Sequence, residues 1–275
     1  LADFDIGSLL LLGTALLGTG VIAGIIAGLL GVGGGIVIVP VLYHMLLALG
    51  VDEQVVMHIA VGTSLATILG TGTSSALAHY RRGGVDVDLL KRWWLPIAIG
   101  VVTGSIVGGN VSGNVLSLIF ATVALAVALN MILRKDGVSL ATKLPGTPIK
   151  ETLGFFIGSI SVMMGIGGGT LSVPILTLFS YPIRLAVGTA SAIGLLIAVP
   201  GTIGAIYYGL GVEARPPWSL GYVNLIGFLL IIPASTLSAP LGARIAHTIN
   251  PRALKIVFAL FLAFTGLRMF YDVLL

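Results

Sequence analysis

The residues of this chain with the most chemical promise are glycines. Gly31-Val-Gly-Gly-Gly-Ile-Val-Ile-Val-Pro-Val-Leu42 returns as Gly165-Ile-Gly-Gly-Gly-Thr-Leu-Ser-Val-Pro-Ile-Leu176. Consecutive glycines weaken a helix by about 1 kcal/mol each, so each run reads as a break between two helical segments. The first N–H groups of the helix that restarts have no intrahelical acceptor, and its dipole places partial positive charge there. With no Cβ in the way, a small oxyanion can approach that backbone closely. The chemistry expected is anion binding, at Gly33, Gly34 and Gly35 in one half and at Gly167, Gly168, Gly169 and Thr170 in the other. Pro40 and Pro174 come early in the restarted helices, where a missing N–H does least harm.

Hydroxyls follow in the same order in both halves. Ala60-Val-Gly-Thr63 precedes Ser64, and Ala186-Val-Gly-Thr189 comes just before Ser191. Thr63, Ser64, Thr189 and Ser191 could donate to the oxygens of a small oxyanion, or instead back-bond to the preceding helical turn. The half-sites differ, because one reads Thr63-Ser64-Leu65 and the other Thr189-Ala-Ser191. Four basic or titratable residues are candidates for gating or for admitting a proton or anion. His58 opens a third helix, His79 closes it, Arg82 follows in the next loop, and Arg184 begins the equivalent helix of the second half. Interfacial or structural roles compete for each.

These residues must be positioned within a membrane. The 275 residues are 57% hydrophobic and 9% charged, against roughly 25% charged in a soluble domain. Stretches free of Asp, Glu, Lys and Arg dominate, and many exceed the about 20 residues a helix needs to cross a bilayer. They leave room for eight to ten helical segments. Strand-like alternation is absent, which argues against a transmembrane barrel. The expected fold is all-α and polytopic, with glycine-broken helices in two inverted structural repeats. Residues 1–133 form the first repeat, 134–150 a cytoplasmic linker and 151–275 the second. The chain begins at Leu1 rather than Met, but its first apolar stretch is too long for a signal peptide.

The inverted arrangement rests on charge. If each glycine region returns the chain to its starting side, all but Arg215 and Arg268 of the 14 basic residues face one side, as cytoplasmic loops should. A parallel arrangement leaves several more outside. Both termini are then expected outside, in the cytoplasmic (inner) membrane of a bacterium or archaeon. Trp93, Trp94, Trp218, Tyr181 and Tyr222 fall near helix ends, as interfacial anchors would. Gly100, Gly104 and Gly108, spaced by four, suit close helix packing.

Enzyme chemistry finds no support: there is no Cys, no His-Glu-x-x-His run, no serine-protease motif and no carboxylate inside an apolar stretch. No Walker sequence is present either. No cofactor, metal or nucleic-acid partner is expected. The partners are a small inorganic or organic anion and the bilayer, with room for a homo-oligomer.

The doubled Gly-x-Gly-Gly-Gly-x-x-x-x-Pro segments, the Ala-Val-Gly-Thr segments and the loop His79-Tyr-Arg-Arg-Gly-Gly-Val-Asp86 resemble the TauE/SafE family of sulfite and organosulfonate exporters over essentially the whole chain. That resemblance implies a secondary transporter, and more specifically an exporter, of small sulfur-containing anions. Short or glycine-interrupted segments at matching positions in two halves mark a transporter's central site, so alternating access around a midplane anion site is the expected mechanism. A channel or carrier for another small anion, or a membrane scaffold, are the alternatives.

Overall fold

The computed structural model describes residues 6–133, 141, 144–245 and 251–274. Ten helices account for nearly all of it. They are α1 (Ile6–Leu30), α2 (Gly35–Ala48), α3 (Glu53–Tyr80), α4 (Val87–Asn110), α5 (Gly113–Leu133), α6 (Ile149–Met163), α7 (Gly169–Leu178), α8 (Ile183–Gly209), α9 (Leu225–Ile245) and α10 (Pro251–Leu274). A hairpin of β1 (Ser219–Leu220) and β2 (Val223–Asn224) precedes α9 and has no counterpart in the sequence expectations. Among the described residues, six helices are long and apolar enough to cross a membrane, while α2 and α7 are short apolar segments. The linker expected at 134–150 falls mostly outside the described residues, and Ile149 and Lys150 already belong to α6.

Local chemistry sets the helix starts. Asp52 caps α3 by accepting from Gln54 N at 2.8 Å, Asp86 caps α4 through Leu89 N at 2.9 Å, and Asn224 accepts from Gly227 N at 2.8 Å at the start of α9. Each satisfies an N–H that the helix itself leaves unpaired. Pro40 and Pro174 fall in the second turn of α2 and α7 rather than the first, so each interrupts a helical hydrogen bond.

Packing relates the halves. α1 packs on α9 and α6 on α4; α3 packs on α9 and α8 on α4; α5 and α10 pack together, as do α3 and α8. Each pairing is thus either repeated with the halves exchanged or maps onto itself. Along the α3–α8 contact, Gly62 meets Ala205, Gly72 meets Leu195 and Gly188 meets His79. Numbers fall along α8 as they rise along α3, so these corresponding helices run antiparallel. Small residues make the crossings close. Gly100 and Gly104 lie against the Phe155 and Ser159 backbone of α6, and Gly24 and Gly28 against Ser235 and Ala239 of α9. In hydrocarbon, such close approach replaces the hydrophobic drive available in water.

The centre is α3, with 89% of its most apolar stretch buried against 28% for α4. Outward faces carry Leu11, Ile22, Val102, Leu129, Ile203, Leu237 and Phe264, an apolar girdle suited to lipid. Trp94 and Trp218 are exposed, as anchors would be, but Trp93 is fully buried beside Gly154 of α6, and Tyr222 is buried too. The anchor reading fails for these two because helix ends here are covered by neighbouring helices and by the hairpin.

Candidate functional site

The two glycine breaks end their helices differently. After α1, Gly31 adopts φ 68° and its N–H reaches Ala27 O at 2.8 Å, a single-bond left-handed cap. That cap leaves the Gly28 carbonyl open, and His79 Nε2 of α3 meets it at 3.0 Å. Gly33 and Gly34 also hold positive φ, 76° and 77°, before α2 restarts at Gly35. After α6, Gly165 has φ 66°, its N–H bonds Val162 O at 3.1 Å, and Ile166 N bonds Ser161 O at 3.0 Å. This pair of bonds is a Schellman cap. Gly168 then has φ −48°, an ordinary helical value, and its carbonyl accepts from Ser172 N at 2.7 Å.

The breaks meet at the centre of the protein. A Cβ built on Gly33 would stand 3.1 Å from Gly167 Cα, and one on Gly167 would stand 3.2 Å from Gly33 Cα. Gly35 would collide with Gly165 O and Gly169 with Gly31 O. Each break also presses on the long helix of the other half, Gly31 on Val187 of α8 and Gly165 on Val61 of α3. Residues 31–40 and 164–170 are all buried. Two helix N-termini with unpaired leading N–H groups therefore lie side by side away from lipid, where broken backbone is tolerated only if buried in protein or lining a cavity.

The expected hydroxyls divide into two groups. Ser64 donates to Gly165 O at 2.7 Å, and Ser191 bonds Val187 O and Ser75 Oγ, each at 3.1 Å, beside Gly31. These two belong to the lining of the breaks. Thr63 and Thr189 are engaged elsewhere: their hydroxyls accept the backbone N–H of Asn224 at 2.8 Å and of Asp86 at 2.9 Å. Each buckles a long helix to the start of a helix in the other half. Thr170 Oγ1 and Ser172 Oγ, on α7 just past the second break, are buried without a hydrogen-bond partner. Ser172 Oγ lies 3.3 Å from where a Gly168 Cβ would sit, so it points back toward the helix start. The aligned residues of the first half are Ile36 and Ile38, both fully buried. Ser172 was not among the sequence candidates, although the substitution of Thr and Ser for two isoleucines is visible when the repeats are aligned.

The four gating candidates are not brought together. His58 sits near the start of α3, 7% exposed, with Nε2 at 3.1 Å from Val111 O and its ring stacked on Tyr222 at 4.8 Å. His79 lies at the opposite end, on the first break. Arg82 is exposed and donates to Ala78 O at 3.0 Å, and Arg184 is exposed at the start of α8. Near that end, the Tyr181 hydroxyl donates to Asp86 Oδ2, a contact not foreseen from sequence. Partial burial disfavours the Asp86 carboxylate, but donation from Tyr181, Leu89 N and Asp88 N, with Arg92 nearby, outweighs it and holds this carboxyl below its ordinary range. Burial, and then the bond to Asp86, push the Tyr181 phenol up. Burial also raises the Tyr222 phenol, against a smaller pull from Arg215. Among the described residues, no group of three or more His, Cys, Asp or Glu is placed to hold a metal ion.

The chain's relatives are membrane transporters by name. It is 35% identical over 254 residues to a "Probable membrane transporter protein" of Haemophilus influenzae, covering 91% of this chain and 95% of that one. It is 28% identical over 272 residues to the "Probable membrane transporter protein YunE" of Bacillus subtilis, with 92% and 95% covered. A similar protein of Methanocaldococcus jannaschii is 28% identical over 268 residues, with 94% and 96% covered. No solved structure matches the chain. Residues 16–269 match the family described as "Sulfite exporter TauE/SafE", and the protein is a multi-pass membrane transporter of that family.

Proposed function

We propose that this transporter carries small sulfur-containing anions, sulfite or organosulfonates, out across the cytoplasmic membrane, holding them between the two glycine breaks. The observation that carries the proposal is the pair of orphaned hydroxyls, Thr170 Oγ1 and Ser172 Oγ, at the start of α7 beside a second helix N-terminus. A buried hydroxyl without a partner costs about 1–3 kcal/mol, and an oxyanion at the break would accept from Ser172, which points back to the helix start. The family description, which names sulfite, supports the same class. Gly33–Gly35, Gly167–Gly169, Ser64 and Ser191 frame this site, and Thr63 and Thr189 position its walls. The exchanged packing and the antiparallel α3 and α8 support two inverted repeats, 1–133 and 151–275, rocking about their contact. The basic loops support both termini outside.

Calorimetry on the purified protein tests this, with sulfite as ligand, chloride and sulfate as controls, and the double variant Thr170→Val, Ser172→Ala. Wild type should bind sulfite saturably, and the variant should lose at least about tenfold in affinity, ~1.4 kcal/mol, while melting no lower than wild type. A variant that binds normally, or that melts several degrees lower, makes these hydroxyls structural and moves the site elsewhere. A wild type that binds no sulfur anion removes the substrate assignment.

A further inference from the structure

A cleft enters the protein at the end of α3 opposite His79. Its outer part, ≈ 410 Å³, is lined by Glu53, Gln54, Asn110 and Asn114. It narrows past His58 and Tyr222 into an inner cavity of ≈ 40 Å³ between α3, α4 and α8, reaching Met163 at the end of α6. Met163 stands two residues before Gly165, and Val61 of the same lining touches that glycine, so the cavity approaches the second glycine break. Two of its lining residues each carry a buried polar atom with no partner, His58 Nδ1 and Ser105 Oγ.

The imidazole's hydrogen-bonding dictates what this cavity accepts. Val111 O can only accept, so Nε2 carries a hydrogen whether the ring is neutral or charged. The neutral ring then leaves Nδ1 as a buried lone pair without a partner on a residue that lines the cavity. An anion's oxygens also present only lone pairs, so neutral His58 repels the ligand. The protonated ring presents an N–H donor and a positive charge, alongside the Ser105 hydroxyl. We infer that the cavity holds an anion only together with a proton on His58 Nδ1, making anion and proton an obligate pair that crosses in one direction. This rests on the anion-carrier reading above. A monoanion then moves without net charge, and flux follows the product of the anion and proton gradients.

The groups around the imidazole are few. They are the carbonyls of Gln54, Gly108 and Val111, Glu53 on the first turn of α3, Tyr208 of α8 across the cavity and the stacked Tyr222 of the hairpin, with Arg215 acting on Tyr222. Histidine is the side chain among them whose ordinary titration lies between about pH 5 and 8.

Liposomes carrying the purified protein test the coupling, with methanesulfonate as probe because its own charge is fixed across that range. Wild-type flux should rise as the cleft side is acidified, by up to about tenfold per pH unit, with one proton entering per anion. His58→Gln keeps a donor for Val111 O and an acceptor toward the cavity but cannot be charged. Its flux should be lost at every pH, and the proton movement with it. Wild-type flux without protons, or a His58→Gln protein with unchanged proton coupling, overturns the inference. Nitrogen NMR of labelled histidine decides separately, without any substrate. A hydrogen held on Nε2 throughout, with Nδ1 gaining its proton in acid, supports it. An Nδ1–H tautomer, or a ring that never protonates there, refutes it. If no sulfur anion is carried, the substrate proposal fails, and the NMR result stands alone for this one.

Discussion

The two glycine breaks share one sequence pattern but need their glycines for different reasons. In the first, Gly31, Gly33 and Gly34 all have φ between 68° and 77°, a region closed to most side chains. In the second only Gly165 does, and Gly167, Gly168 and Gly169 are small because something touches them. Capping accounts for part of the difference. The Schellman pair after α6 satisfies the Val162 and Ser161 carbonyls from within the chain, whereas the cap after α1 leaves the Gly28 carbonyl to His79. A repeated motif thus conserved the break and its neighbours but not the backbone path through it.

Alanine at matched positions is the most forceful way to break this comparison. Gly169→Ala should be the worst, since its Cβ would lie 2.0 Å from the Gly31 carbonyl oxygen and neither side can yield without moving a break. We expect loss of folded protein, more than about 4 kcal/mol. Gly34→Ala meets both positive φ and the Ala23 backbone, 2.8 Å away, and should cost about 2–3 kcal/mol, of which 1–2 is conformational. Gly168→Ala keeps a helical φ, and the atoms nearest its Cβ belong to the side chains of Ile193, Ile197 and Ser172 and not to backbone, so about 1 kcal/mol is expected. Unfolding in mixed micelles measures the series. Equal losses for Gly34→Ala and Gly168→Ala would mean that the two backbones are alike after all.

Most of the scaffold was legible in the sequence because hydrocarbon imposes long uncharged runs and glycine ends them. The restarts at Gly35 and Gly169, the end of α3 beside His79 and the start of α8 beside Arg184 fall within a residue or two of expectation. Three things were hidden. Thr63 and Thr189 sit where a ligand contact would be expected, yet both bind the N-terminal ends of α9 and α4. Only tertiary contact between sequence-distant segments reveals that use. Trp93 looks like an interfacial anchor beside Trp94, but the face it occupies is covered by α6. The Asp86–Tyr181 contact joins residues of different halves, and no spacing rule connects them.

The histidine that completes the first break sharpens the comparison at intermediate size. His79→Ala should strand the Gly28 carbonyl, at about 1–3 kcal/mol. His79→Gln, with an amide to donate, should recover part of it. Thermal melting in detergent measures both. The second break uses no side chain for the matching carbonyl, so its stability should be indifferent to any substitution made for this purpose. If His79→Gln rescues nothing, the histidine acts through packing against Gly188 and not through its hydrogen bond.

The smallest effect expected lies where the halves differ by a single charge. Thr189 holds the start of α4 through Asp86 N, and Thr63 holds the start of α9 through Asn224 N, so a carboxylate and an amide occupy equivalent places. Asp86 also accepts from Tyr181, and that bond helps hold its carboxyl below the ordinary carboxylate range. A depressed carboxyl stabilises the fold fully above its unfolded pKa and loses that contribution as pH falls through the lower folded value. Asp86→Asn should therefore remove about 1 kcal/mol or less near neutral pH, because the group is only partly buried and solvent screens it. It should also flatten the melting curve's decline in acid. Tyr181→Phe should give part of the same loss, whereas Asn224→Asp should add an acid-sensitive step at the other end. If Asp86→Asn leaves the acid limb of the melting profile unchanged, the carboxylate is only a helix cap. The two ends of the α3–α8 pair would then be electrostatically equivalent.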